Sequence, residues 1–128
     1  MENKVNQYST AALAYLGDSV LEVLVREELV KEGLSSSRAL NAKALEYVKA
    51  SRQAEAMKNL LPLLDDEENA VFHRGRNMGH TNIPKSATVA EYRSATGMET
   101  LFGYLHLLGR TERIKELFLA AYKINEAN

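Results

Sequence analysis

Cysteine is missing from the chain altogether. That excludes disulfides, thiolate metal sites and a cysteine nucleophile, so any metal must be held by carboxylates or histidines. Long apolar runs are missing too: none approaches the roughly 20 residues of a membrane span. The amino terminus, MENKVNQYST, lacks the charged-then-apolar pattern of a signal segment, which predicts a cytoplasmic protein with no membrane partner. Charge of one sign is scarce as well. A net charge of -1 does not announce a nucleic-acid partner at the level of the whole chain. Aromatic residues, 7% of the total, are too dispersed for a base-stacking platform. There is no internal repeat and no low-complexity tract.

What is present fits one compact domain over residues 1–128: 45% of the 128 residues are hydrophobic and 26% charged, enough for a real core and too little for two. Charge is distributed unevenly. Residues 65–68 read DDEE, whereas residues 73–93 hold Arg74, Arg76, Lys85 and Arg93 against Glu91 alone, with His73 and His80 besides.

Capping signals and 3.6-residue periodicity predict an all-α fold of about six helices. The first is expected from Ser9 or Thr10 to Lys31, burying Leu13, Leu16, Val20, Val23 and Leu24, with Gly33 placed to stop it. The serines at 35–37 offer an N-cap for a second helix carrying Leu40, Ala44, Tyr47 and Val48. Ser51 is the expected cap of a third, which Pro62 perturbs near its end. Asp65 with Glu68 makes a capping box for a fourth through about His73, and Thr88 with Glu91 makes another for a fifth reaching Leu108, where Gly109 ends it. Thr111 is the expected cap of a last helix bearing Ile114, Leu117, Phe118, Ala121 and Tyr122. Between the fourth and fifth lies RGRNMGHTNIPKSAT, residues 74–88, the one long loop and a natural place for function.

The stretch AYLGDSVLEVLVREEL, residues 14–29, poses a question of chemistry. Gly17 and Asp18 sit inside a helical run, where glycine costs about 1 kcal/mol relative to alanine and aspartate is also a weak former. Glu99 lies beside the Met98 and Phe102 stripe of the fifth helix. Two carboxylates on two packed helices can converge into an oxygen-ligand site for magnesium, or each can simply face water at the edge of its stripe. Glu22, one turn past Asp18, is either a third metal-proximal acid or a solvated partner for Arg26. Gly103, four residues after Glu99, clears space there for close packing or access. In the basic loop, Arg74, Arg76, Asn77 and Lys85 are candidate phosphate contacts, or an ordinary solvated surface.

YLGDSVLEVLV, residues 15–25, resembles the signature helix of the ribonuclease III endonuclease domain, and METLFGYLHLLG, residues 98–109, resembles a later helix of that domain. HRGRN at 73–77 and EYRSAT at 91–96 are similar to the Mini-ribonuclease III branch, which lacks the appended double-stranded-RNA-binding domain. Two positions depart from full-length ribonuclease III: acids expected one turn before Asp18 and three residues before Glu99 are Ala14 and Thr96 here.

The resemblance implies a homodimeric endoribonuclease. Asp18 and Glu99 would anchor magnesium, with manganese as a substitute, and double-stranded RNA would be cut to 5'-phosphate and 3'-hydroxyl ends. It further implies maturation of a large-subunit (23S) ribosomal RNA precursor, presented with a large-subunit ribosomal protein bound. Two alternatives are a non-catalytic RNA-binding scaffold of the same fold and a helical protein-interaction module. Without a separate RNA-binding domain, the loop around Arg74, Arg76 and Lys85 is the candidate for extra grip, and Arg74→Ala is expected to weaken binding and flatten its salt dependence.

Overall fold

The computed structural model describes residues 4–79, 85 and 87–125. Six α-helices follow a short 3₁₀ turn at Lys4–Gln7: α1 Thr10–Lys31, α2 Ser37–Val48, α3 Ala50–Leu60, α4 Asp66–Arg76, α5 Val89–Leu107 and α6 Thr111–Ala121. A second 3₁₀ turn, Leu61–Leu63, follows α3 at the position of Pro62. The described residues contain no strand.

Helix ends fall where side chains can satisfy the orphan backbone groups. Ser9 accepts from the Ala12 N–H at 3.0 Å, and Ser36 accepts from Ala39 at 3.1 Å. Both expected capping boxes form, Asp65 with Glu68 and Thr88 with Glu91, each side chain bonded to the other's backbone. Gly33 and Gly109 close α1 and α5 in the left-handed conformation, at φ +93° and +73°. Two expected caps are absent. Ser51 lies inside α3, whose N-cap position is Lys49, and Thr111 is the first helical residue of α6 behind Arg110; neither position carries a side-chain cap.

The layout centres on α5. It packs against α1, α4 and α3, while α2 lies on α1 and α6 covers α3 and α5. Fully buried Leu13, Leu21, Leu29, Met57, Leu60, Phe102 and Tyr104 fill the space between them, each such side chain worth about 1.5–3 kcal/mol over its exposed state.

The buried stripe of α1 differs from the expected one. Leu13, Gly17, Leu21, Val25 and Leu29, spaced every four residues, face the core together with Ala14. Leu16, Val20 and Leu24 are only half-buried, and Val23 is 55% exposed. The reason is the crossing with α5. A Cβ on Gly17 would lie 1.6 Å from the Glu99 carbonyl oxygen, and one on Gly103 would lie 2.0 Å from the Leu13 carbonyl oxygen. Backbone meets backbone there, so the glycine face of α1 must point inward, and periodicity counted from leucines and valines alone selects a neighbouring face.

The acidic start of α4 is held from the far side. Glu68, 1% exposed, receives two hydrogen bonds from Arg113 of α6, at 2.7 and 2.8 Å, and Arg113 also donates to the Leu63 carbonyl. Glu67 accepts from Arg110 at 2.8 Å and from the Tyr104 hydroxyl. This network joins α4, α5 and α6.

Candidate functional site

The Gly17–Gly103 contact explains why a core-facing helix carries a Gly-Asp pair. Because Gly17 brings α1 against the backbone of Glu99, the next residue, Asp18, emerges beside the Glu99 side chain at the rim of the crossing. Both carboxylates line an open pocket of about 460 Å³ where α1, α3 and α5 meet. The Asp18 carboxylate acts directly on that of Glu99. Burial first, and the facing Asp18 carboxylate second, push the Glu99 carboxyl up to about 8. Two acids held together at such a cost form the oxygen donor set that suits a hard divalent cation, which takes one or two protein carboxylates and completes its shell with water or phosphate oxygens. Among the described residues no group of three or more acids or histidines is placed so that it could hold a metal ion. The donor set is therefore thin.

Its thinness has a location. Ala14 and Thr96 line this same pocket, so the two positions at which the sequence departs from full-length ribonuclease III face the carboxylates. Thr96 donates its hydroxyl to the Tyr92 carbonyl of its own helix at 3.0 Å. Glu22 is absent from the pocket wall and accepts from Arg26 at 3.0 Å, one turn along the exposed side of α1. Of its two expected roles, the structure places it in the ion pair.

The basic residues divide as well. Of the expected loop 74–88, residues 80–84 and 86 lie outside the described residues, and Arg74 and Arg76 belong to the last turn of α4. Arg74 is half-buried; its Nε donates to the Thr10 hydroxyl at 2.8 Å and a terminal nitrogen donates to the Tyr8 carbonyl, so it ties α4 to the start of α1. Arg76, Asn77 and Lys85 are exposed. Arg76 lies in a groove of about 910 Å³ between α3, α4 and α5, with Lys49, Arg52, Lys58 and His73 facing Glu55 and Glu91. Arg52 is steadied there over the rings of Tyr47 and Tyr122, 5.8 and 5.3 Å from their centroids.

Sequence reasoning passed over the α3 residues of both cavities. Lys49 stands at the N-cap position of α3, Arg52 lies in its first turn and Lys58 near its end, with Glu55 between them, so no charge run marks them. Gln53 of α3, 2% exposed, lines the carboxylate pocket. A single glutamine on an amphipathic helix carries no signal of this.

The groove and the pocket share α3 and α5. Comparisons with known proteins show the family. Residues 11–110 match the Ribonuclease III domain family. The chain is 46% identical over 109 residues to a Mini-ribonuclease 3 of Symbiobacterium thermophilum, covering 85% of this chain and 84% of the relative. It is 40% identical over 125 residues to a Mini-ribonuclease 3 of Enterococcus faecalis, covering 95% of each. Its fold matches an X-ray crystal structure of a Fusobacterium nucleatum protein with TM-score 0.84 at 30% identity, over 95% of this chain and 98% of that one. With its carboxylates at the helix crossing and its sequence matched along most of its length, the chain belongs to the ribonuclease III family, in its Mini-ribonuclease 3 branch.

Proposed function

We propose that the chain is a divalent-cation-dependent endoribonuclease of double-stranded RNA, with Asp18 and Glu99 as the cation anchors. The observation that carries this reading is the meeting of those two carboxylates in one pocket at the α1–α5 crossing. Magnesium, or manganese in its place, supplies water activation near neutral pH and Lewis-acid polarisation of the phosphoryl group when bound. Asp18 and Glu99 hold and orient; neither is a covalent nucleophile. Hydrolysis leaves a 5'-phosphate and a 3'-hydroxyl.

The groove lined by Arg76, Lys49, Arg52 and Lys58, with Asn77 and Lys85 exposed nearby in the sequence, is the surface on which the duplex backbone lies. A-form RNA presents phosphates and 2'-hydroxyls in a regular array, so recognition follows shape more than base sequence. Two strands require two centres, which a twofold homodimer supplies. The branch resemblance makes a 23S ribosomal RNA precursor, with a large-subunit ribosomal protein bound, the substrate of choice, and the cytoplasm the place of action.

The test is cleavage of an end-labelled RNA duplex with and without magnesium, comparing the native chain with Asp18→Asn and Glu99→Gln at dimer content matched by sedimentation. Each variant is expected to lose at least about a hundredfold in rate, since even outer-sphere partners of metal ligands carry 10–100-fold effects. Duplex binding without any cut by the native chain would support the scaffold reading instead; neither binding nor cutting would support an interaction module.

A further inference from the structure

Gln53 is buried in the wall of the carboxylate pocket with its chemistry unused. It is 2% exposed, its backbone N–H is bonded to the Lys49 carbonyl at 3.0 Å, and its side-chain amide has no hydrogen-bond partner among the described residues. A carboxamide brings two N–H donors and a carbonyl with two lone pairs. Burying it unpaired works against folding, and buried polar groups are almost always bonded to protein, water or ligand.

The pocket explains what that partner is. Ala14, Ala50, Val48 and Ala95 on its wall have no side-chain polar atom to offer, the Thr96 hydroxyl is already donated along its own helix, and the hydroxyls of Tyr15 and Tyr92, on the same wall, make no hydrogen bond to the Gln53 amide. Asp18 and Glu99 are turned to one another. The partner of Gln53 therefore enters from outside the fold, and it enters a site whose fixed charge is negative.

We propose that Gln53 is a third ligand-holding residue of this pocket: its amide bonds the hydration shell of a divalent cation anchored by Asp18 and Glu99, and an anionic phosphate oxygen beside it. The assignment rests on the cleavage reading above and adds a residue to it. A neutral amide suits that position on both sides. Its carbonyl accepts from a cation-coordinated water, and its N–H groups donate to a phosphate that a third carboxylate would repel. With only two acids present, much of the cation's shell is water, and water held from one side by a fixed acceptor is oriented.

The test uses the full chain with Gln53→Met, which keeps the length of the side chain and removes the amide, and Gln53→Glu, which keeps the shape and adds charge. Three quantities are read: melting temperature in chelator, manganese affinity by calorimetry without RNA, and single-turnover cleavage of a duplex across a magnesium titration. Gln53→Met is expected to melt higher than the native chain in chelator, because an unpaired buried amide is gone, and to bind manganese about tenfold more weakly. Its cleavage should fall about 10–100-fold and need more magnesium. Gln53→Glu should melt lower in chelator while keeping or tightening manganese binding. A Gln53→Met chain that melts lower and binds manganese like the native one would make Gln53 a packing residue and overturn the assignment alone. A native chain that neither binds manganese nor cuts the duplex would overturn the assignment together with the cleavage reading.

Discussion

One methyl group at residue 17 tests the geometry of the site more sharply than a change of charge. In Gly17→Ala the new Cβ would have to displace the Glu99 carbonyl, 1.6 Å away, and that atom is backbone. Overpacking of this kind costs about 3 kcal/mol when no flexible side chain can yield. Urea unfolding should show that loss, and the surviving folded fraction should cut RNA poorly because α1 and α5 have moved apart with Asp18 and Glu99 on them. At this scale the sequence was informative where residue type is rare in context. Gly17 and Asp18 interrupt an apolar helix and so stand out, and Glu99 with Gly103 repeats the signal. Gln53 does not stand out, since what makes it unusual is burial by three helices at once. Arg74 misleads for the opposite reason: its basic neighbours are plain in the sequence, whereas its bonds to Tyr8 and Thr10 come from a distant part of the chain.

At the scale of the element, α4 depends on acids that act twice. Glu68 closes the capping box with Asp65 and is the buried partner of Arg113. The Arg113 guanidinium first, and the Asp65 backbone N–H besides, hold the Glu68 carboxyl below its ordinary value of 4.5 against the effect of burial. Arg110, then the Tyr104 hydroxyl, do the same for Glu67. Since the folded values lie below the unfolded ones, the unfolded chain binds more protons in acid. The stability from these groups is thus complete above about pH 4.5 and is lost as pH falls through the folded values. Thermal melts across that range should show the loss. Glu68→Gln should flatten the acid slope and cost about 3 kcal/mol at neutral pH, the lower end for a broken buried pair, because water reaches Arg113. Helix ends with a serine, threonine or aspartate cap were legible in the sequence, at Ser9, Ser36, Asp65 and Thr88. The starts of α3 and α6 were not, because tertiary packing sets them without a cap, and the rotation of α1 was hidden because glycines, not leucines, define its inner face.

For the whole molecule, a net charge of -1 conceals a sided distribution. Acids gather at the start of α4, where Arg110 and Arg113 neutralise them, and the groove on the other side of α4 keeps Lys49, Lys58 and Arg76 facing water. Arg76→Ala is expected to lower the slope of log affinity against log salt by about one. Arg74→Ala should leave that slope nearly unchanged and lower the melting temperature, because its guanidinium is tied to Tyr8 and Thr10. Filter binding across a salt series together with thermal melts separates the two. The α1–α5 crossing carries a consequence in time. Asp18 leaves the ribosome before Glu99, and they meet only when α5 has been made and folded back. On the proposed reading, the growing chain emerges beside a large body of structured RNA before its two anchors have met. On that reading, cutting waits for the crossing to close.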